Sequence, residues 1–443
     1  MDSRSYRNLR ERLRGLGLLA FFLHVRPGVS HSSGTDALLA GRCRNAREGP
    51  LLLTEGGHVC PLPVDDATAA DAGSWSPWSA HPTCAYPLDE SSSKYCLYTY
   101  TSFHGGGDIS IITTPEIAAE ATALLEDPDP QWYRWNEPVA PAYGQDEPYE
   151  LREIPGKGIG VVATRKIQRG EVILSDAAAV ITMLSPPRGI LPVHKKVLAQ
   201  KAYDQLGEET RGLITALSGG ERGGVEGIFN DNMFTIALAG WEKHRGLFPK
   251  VSRMNHDCRP SCYPRFSRRR LQMEAVAYRD IEAGEELSIS YAPLGVPTAG
   301  RQSFLHRQWG FNCTCHLCTH PEESEASDRN KRRIQEILTL MEDPANQNRE
   351  ALEDFASEMR ELIEAEGMLM QIGDFYSTLS RTFYEAGLVE DAARYGEWAV
   401  DMLREYIGED SEQVARARTF LGEVTEIVRG SKGADVSDHG RHG

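Results

Sequence analysis

Two short stretches bring together residue types that suit metal and cofactor chemistry. "SRMNHDCRPSC", Ser252 to Cys262, sets the pair Asn255-His256 just ahead of Cys258, and "GFNCTCHLC", Gly310 to Cys318, spaces Cys313, Cys315 and Cys318 as CxCxxC. Three thiols that close cannot all pair with one another in disulfides, and a tetrahedral zinc takes four soft ligands. The fourth must come from elsewhere in the chain. Cys258 is the natural donor, with Cys262, His316 and His320 as alternatives.

The segments around these stretches have strand texture. From Tyr149 onward, short β-like runs separated by Gly recur: "YELREI", "GIGVVATRKI", "GEVILS", "QMEAVAYRDI" and "GEELSISY". Runs of this length split by turn residues predict a small multi-sheet β domain. Between them, Pro192 to Leu217 has helical spacing and reads as a helical insertion, taken as about 185–240. After Pro321 the pattern is helical to about Val428: Ile334, Ile337, Leu338 and Met341 share one face. Tyr376, Leu379 and Phe383 make a second stripe, Gly387 is placed to stop that helix, and Ala392, Tyr395, Ala399 and Met402 make a third. This is the texture of a tetratricopeptide-like helix pair, and an ordinary antiparallel helical bundle would have nearly the same pattern.

Ahead of the β runs, residues 31–146 carry Cys43, Cys60, Cys84 and Cys96 among Gly, Pro, Ser and Trp. "ISIITTPEIAAEATALLED" reads there as a strand followed by a Thr-Pro helix start and an amphipathic helix. An acidic, Pro-bearing linker then leads to a boundary near Glu147.

A length of 443 residues calls for two or three packed units. A net charge of -16 argues against binding nucleic acid through its phosphates and suits a basic partner such as a Lys-rich peptide, or else serves only to keep the protein soluble. No apolar run approaches the roughly 18 residues of a membrane span. Residues 1–30 join a basic stretch, a short apolar segment containing His24 and small residues, in the order of a secretory signal; a small amphipathic helix ahead of a disordered lead is the competing reading.

"GKGIGVVATRKIQRGEVIL", "NHDCRP", "GEELSISY" and "CTCHLC" follow one another at distances that resemble the SET-domain protein lysine methyltransferases, over about Glu150 to His320. "NDNMFTIAL" and "GLFPKVSRMNHDC" resemble the branch related to SET and MYND proteins, and a cysteine-free insertion resembles its fungal SET-only members. The resemblance implies an α+β fold: a SET domain over 147–294, a zinc-binding post-SET segment over 295–320, a tetratricopeptide-like helical domain over 321–430 and a disordered tail over 431–443.

It also implies roles. S-adenosylmethionine would lie on one face, with Gly158 and Gly160 letting the main chain at Ile159 approach it. Asn255, His256, Asn232 and Ser252 would contact it, and Phe311 would cover its adenine. Tyr291 would be the catalytic residue and a cofactor neighbour, aligning a neutral lysine amine with the transferring methyl. Cys258, Cys313, Cys315 and Cys318 would hold zinc. Ser261 departs from the family pattern, which has Asn there. The expected partner is a lysine-containing protein, a histone among the candidates, with no direct nucleic acid and no membrane, for a monomeric enzyme. Zinc thiolates and an intracellular cofactor point to nucleus and cytoplasm, with the four N-terminal cysteines as free thiols; a signal cleaved near Ser30 would instead point to the secretory pathway, with two disulfides among those four.

Overall fold

Strand-forming runs and turn glycines build three small sheets that wrap one core. The computed structural model describes residues 78–89, 91–103, 107–126, 147–219, 223–238 and 241–438. The signal-like segment, Cys43, Cys60 and the acidic linker lie outside them.

The largest sheet has the order β1-β2-β3-β7-β9-β8. Its strands are β1 (Thr83–Ala85), β2 (Tyr95–Phe103), β3 (Gly107–Thr113), β7 (Val180–Met183), β8 (Met233–Ala237) and β9 (Lys243–Leu247). β3 runs parallel to β7 with Ile111 opposite Ile181. The expected boundary near Glu147 therefore does not separate two cores. Phe103, Ile109, Ile111 and Ala121 share a buried cluster with Val161, Ile173, Met254 and Leu287, because a hairpin this apolar on one face must bury it against something. Helix α1 (Pro115–Glu126) follows as expected, with Thr114 ahead of its first-turn proline.

The cysteines of this hairpin also depart from expectation. Cys84 lies directly opposite Cys96 in the β1-β2 register, 4.0 Å apart at Cα, and the two form a disulfide rather than standing as free thiols. Side chains directly opposite on one face meet, and spacing along the chain could not reveal that pairing.

A second sheet has the order β10-β13-β5-β4, from β4 (Tyr149–Ile154), β5 (Gly158–Ala163), β10 (Asn255–His256) and β13 (Glu286–Ile289). The third, β11-β12-β6, uses β6 (Val172–Ala177), β11 (Cys262–Ser267) and β12 (Gln272–Ala277). The insertion supplies α2 (Pro192–Asp204), α3 (Glu208–Thr215) and α4 (Gly224–Asn232), then returns to the sheet at β8.

After β13 the chain is helical: α5 (Thr298–Trp309), α6 (His316–Thr319), α7 (Pro321–Glu342), α8 (Arg349–Ala365), α9 (Ile372–Glu385), α10 (Val389–Tyr406) and α11 (Glu412–Asp438). The predicted stripes face inward: Ile334, Ile337, Leu338, Met341, Tyr376, Leu379, Phe383, Ala392, Tyr395 and Ala399 are all buried. Met402 is only half-buried, and its neighbour Leu403 takes the core position. Gly387, at φ +79°, ends α9 while Leu388 N–H donates back to Phe383 O. α11 runs on to Asp438, eight residues into the expected disordered tail, since extending a formed helix adds a hydrogen bond for each residue fixed.

The helical region is seated on the third sheet by aromatic contacts. Tyr263 lies 5.3 Å, ring to ring, from both Tyr278 and Tyr406. Tyr278 Oη accepts from Met370 N–H at 2.7 Å, and Arg169 donates to the Tyr406 hydroxyl at 2.9 Å. Each aromatic pair adds about 1 kcal/mol beyond the area it buries.

Candidate active site and cysteine centre

Strand pairing assembles the site from distant segments. β10 lies parallel to β13 in the register Asn255 with Ser288 and His256 with Ile289, and β13 pairs in turn with β5. Asn255 therefore comes to lie beside the Gly158–Gly160 turn. The two glycines are required for different reasons. Gly158 sits at φ +76° with open space around a would-be Cβ, so its requirement is conformational. A Cβ on Gly160 would fall 2.7 Å from Asn255 Nδ2 and 3.1 Å from Glu286 Oε1, so its requirement is room. Ile159, between them, is exposed.

Glu286 was not singled out from sequence, although it lies within the quoted "GEELSISY". Its carboxylate accepts from Asn255 Nδ2 at 2.9 Å and from Lys157 Nζ at 2.7 Å. It thereby fixes which way the Asn255 amide faces.

His256 is buried, and burial pushes its pKa down to about 4, so the ring is neutral near pH 7. Its Nδ1 accepts from Tyr291 N–H at 3.0 Å. The ring proton therefore belongs on Nε2, which lies 3.3 Å from Cys258 Sγ. One imidazole joins the backbone of the candidate catalytic tyrosine to the cysteine centre. The Tyr291 hydroxyl donates to Met254 O at 2.8 Å, and burial raises its pKa. Its ring packs 5.0 Å from Trp309 and 5.5 Å from His256, with Phe311 6.2 Å from His256 on another side.

Asn232 and Ser252 come together as well. Ser252 Oγ donates to Asn232 O at 3.0 Å. The Asn232 amide nitrogen donates to Ser218 O at 2.6 Å and Ile228 O at 2.8 Å, so its donors are committed to the insertion. Trp309, also unread from sequence, ties the same corner down by donating to Asp231 O at 2.8 Å.

The sulfur atoms of Cys258, Cys313, Cys315 and Cys318 all lie within 4.8 Å of one another. Cys258 Sγ is 3.9 Å from Cys313 Sγ and 3.6 Å from Cys318 Sγ. A tetrahedron of Zn–S bonds near 2.3 Å places its sulfurs about 3.8 Å apart. The residues therefore fit a zinc ion. The alternative ligands fall outside the group. Cys262 is paired into β11 opposite Ala277, and the rings of His316 and His320 stack on each other at 3.8 Å.

Ser261, where the family pattern has Asn, both donates and accepts hydrogen bonds. Ser288 N–H donates to its Oγ at 2.9 Å, and Tyr278 N–H donates to its carbonyl at 2.8 Å, joining the segment after Cys258 to β13.

A β domain whose Gly-x-Gly turn, Asn-His strand and terminal tyrosine converge in this way defines a class, and residues 158–292 match the family model of the SET domain. That stretch is a SET domain. The histone-lysine N-methyltransferase set5 of Schizosaccharomyces pombe is 32% identical over 178 residues, 40% of this chain and 52% of that protein. The histone-lysine N-methyltransferase SMYD3 of Homo sapiens is 40% identical over 88 residues, 20% of each chain. The N-lysine methyltransferase SMYD2 of Gallus gallus is 33% identical over 118 residues, 27% of this chain and 24% of that protein. The chain thus spans about half the length of the first of these relatives and a quarter or less of the other two.

Proposed function

We propose that the protein is a protein-lysine N-methyltransferase that uses S-adenosylmethionine and carries a structural zinc in a post-SET segment. The observation that carries this reading is the register of β10 against β13: it brings Asn255, His256, Tyr291 and the Gly160 turn to one place, with Cys258 two residues from His256. S-adenosylmethionine, when bound, supplies an electrophilic methyl on a sulfonium sulfur. The chain then has to position and desolvate. Gly160 and Ile159 offer bare main chain, Asn255 is held ready by Glu286, and the Tyr291 hydroxyl aligns the attacking amine. A substrate lysine that has given up its proton to solvent would be held there with its lone pair in line with that methyl, and Tyr291 would keep it so. Alignment and a fixed polar environment supply the rate gain.

The substrate is a lysine-bearing, basic protein segment, a histone among the candidates. Support comes from where the acid lies: residues 321–430 hold 26 Asp and Glu against 12 Lys and Arg, a difference of 14 that accounts for most of the net charge of -16. That helical region has the pairing of a tetratricopeptide-like domain, the enzyme works as a monomer, and its compartments are nucleus and cytoplasm.

The test is incubation of purified protein with labelled S-adenosylmethionine, a histone panel and whole lysate. Label on lysine in at least one protein, lost in Tyr291→Phe, is the expected result. A second reading, a catalytically weak scaffold that binds basic partners through the same acidic helices, predicts cofactor binding with no transfer to any protein.

A further inference from the structure

Resting on the zinc reading of the four cysteines, we propose that the adjacent residues Arg301 and Gln302 of α5 are positioning residues of the cysteine centre, one offsetting its charge and the other fixing its main chain.

Gln302 makes a two-bond clamp on one ligand residue. Its Nε2 donates to Cys313 O at 2.8 Å, and its Oε1 accepts from Cys313 N–H at 2.8 Å, so the side-chain amide pairs with the peptide groups of Cys313 as a neighbouring strand would. Three ligands come from the segment this clamp opens. The fourth, Cys258, arrives from β10, so the clamp also sets how far the two segments stand apart.

Arg301 is fully buried, yet among the described residues no carboxylate lies within ion-pair distance of its guanidinium. Its two terminal nitrogens donate to Val296 O at 2.6 Å and Thr298 Oγ1 at 2.9 Å, both neutral acceptors, and its Nε–H has no hydrogen-bond partner. Thr298 is itself held by Asp328 at 2.9 Å and by Ser324 at 2.7 Å, so the fork cannot swing away. The ionisable groups that act on the guanidinium are Cys258, which also takes a hydrogen bond from it, Cys318 and Asp328. A buried guanidinium with no carboxylate in direct contact is a large standing cost. Four thiolates around a dication carry a net charge of about -2 by the valences of the ligands and metal. Each charge removes the cost of the other. Lys331 of α7, 2% exposed and 3.8 Å from Glu366 Oε2, adds a second buried cation in the same region.

Outer residues of this kind change metal affinity by about ten- to hundred-fold. The experiment compares full-length wild type with Arg301→Met, Arg301→Lys and Gln302→Leu. It reads zinc per chain by elemental analysis, zinc release to a chelating dye, and the thiolate-to-metal charge-transfer band after substitution with cobalt(II). We expect about one zinc in wild type and release at least about ten-fold faster in Arg301→Met and Gln302→Leu. The cobalt band should move to lower energy in Arg301→Met, because removing a positive charge leaves the sulfurs easier to oxidise; a purely structural role for Arg301 would leave the band in place. Should Arg301→Met fail to fold, Arg301→Lys, which keeps the charge and loses the rigid fork, decides by its release rate. Unchanged release and an unchanged band overturn the inference. A wild-type protein that binds neither zinc nor cobalt overturns the zinc reading instead.

Discussion

The Asn255 amide donates to the Glu286 carboxylate at 2.9 Å, and the space they share with Gly160 is too small for one methyl group. Gly160→Ala should push Asn255 off Glu286 and lower cofactor affinity by about ten-fold or more, the worth of one charge-assisted hydrogen bond. Gly158→Ala meets no atom and only strains a left-handed residue, so it should cost about 1 kcal/mol of stability with little effect on affinity. Titration calorimetry with S-adenosylmethionine separates the two, and equal affinity losses would show that crowding at Asn255 is not what Gly160 prevents.

Tyr291→Phe removes a hydroxyl while leaving the ring against Trp309 and His256. Cofactor affinity should stay within a few-fold and turnover should fall by about 100-fold or more, the range of a lost transition-state contact. Melting should drop slightly, since Met254 O loses its donor, about 1 kcal/mol. Turnover equal to wild type would remove Tyr291 from the chemistry.

How much of this was legible follows the range of the interactions. Strands with dense β-branched residues between turn glycines, such as "GIGVVA" and "GEVILS", could be read locally, as could the helical stripes after Pro321. β9, "KHRGL", could not. It lies between β7 and β8, opens on Lys243, His244 and Arg245, and has a single apolar side chain, the buried Leu247; the buried His244 ring is satisfied by Thr113 Oγ1 at 3.0 Å and Glu242 O at 2.9 Å. Its partners, not its composition, make it a strand. The site divides the same way. Cys258 could be paired with the CxCxxC cluster because its Asn-His context is local. Glu286, Arg301 and Gln302 act on residues brought near only by folding, and as Glu, Arg and Gln in ordinary helix or strand positions they give no local signal.

Asp176 is buried on β6, and one of its oxygens accepts from Lys250 N–H at 2.6 Å and Val251 N–H at 3.0 Å, fixing the turn that leads into Asn255. Burial raises its pKa to about 6 from 3.8. A raised carboxyl pKa means that the folded state favours the protonated form. The group's stabilising contribution is therefore complete below pH 3.8 and is lost as pH rises through about 6. Asp176→Asn keeps an acceptor for both N–H groups without the charge. It should gain on wild type progressively from about pH 4.5 to 7, by up to about 3 kcal/mol. Urea melts across that range give the difference directly; a gap independent of pH would show that the carboxylate is not strained by burial.

The Cys84–Cys96 bridge joins strands β1 and β2 across a separation of 12 residues, and β2 pairs onward to β3, which runs beside β7 of the SET domain in the same sheet. Closing a loop of that length removes about 3 kcal/mol of unfolded-state entropy. Reduction alone should therefore lower the melting temperature of the purified protein, and Cys84→Ser with Cys96→Ser should reproduce the drop while leaving cofactor affinity near wild type. Mass spectrometry after alkylation, with and without prior reduction, should find Cys84 and Cys96 protected and Cys262 free. The proposed nuclear and cytoplasmic location adds a sharper condition, because those compartments keep thiols reduced. Protein alkylated inside intact cells should then carry Cys84 and Cys96 as thiols, and the bridge should form only after lysis in air. Protection of both cysteines in cells, together with a mature N-terminus near His31, would place the chain in an oxidising compartment and overturn that location.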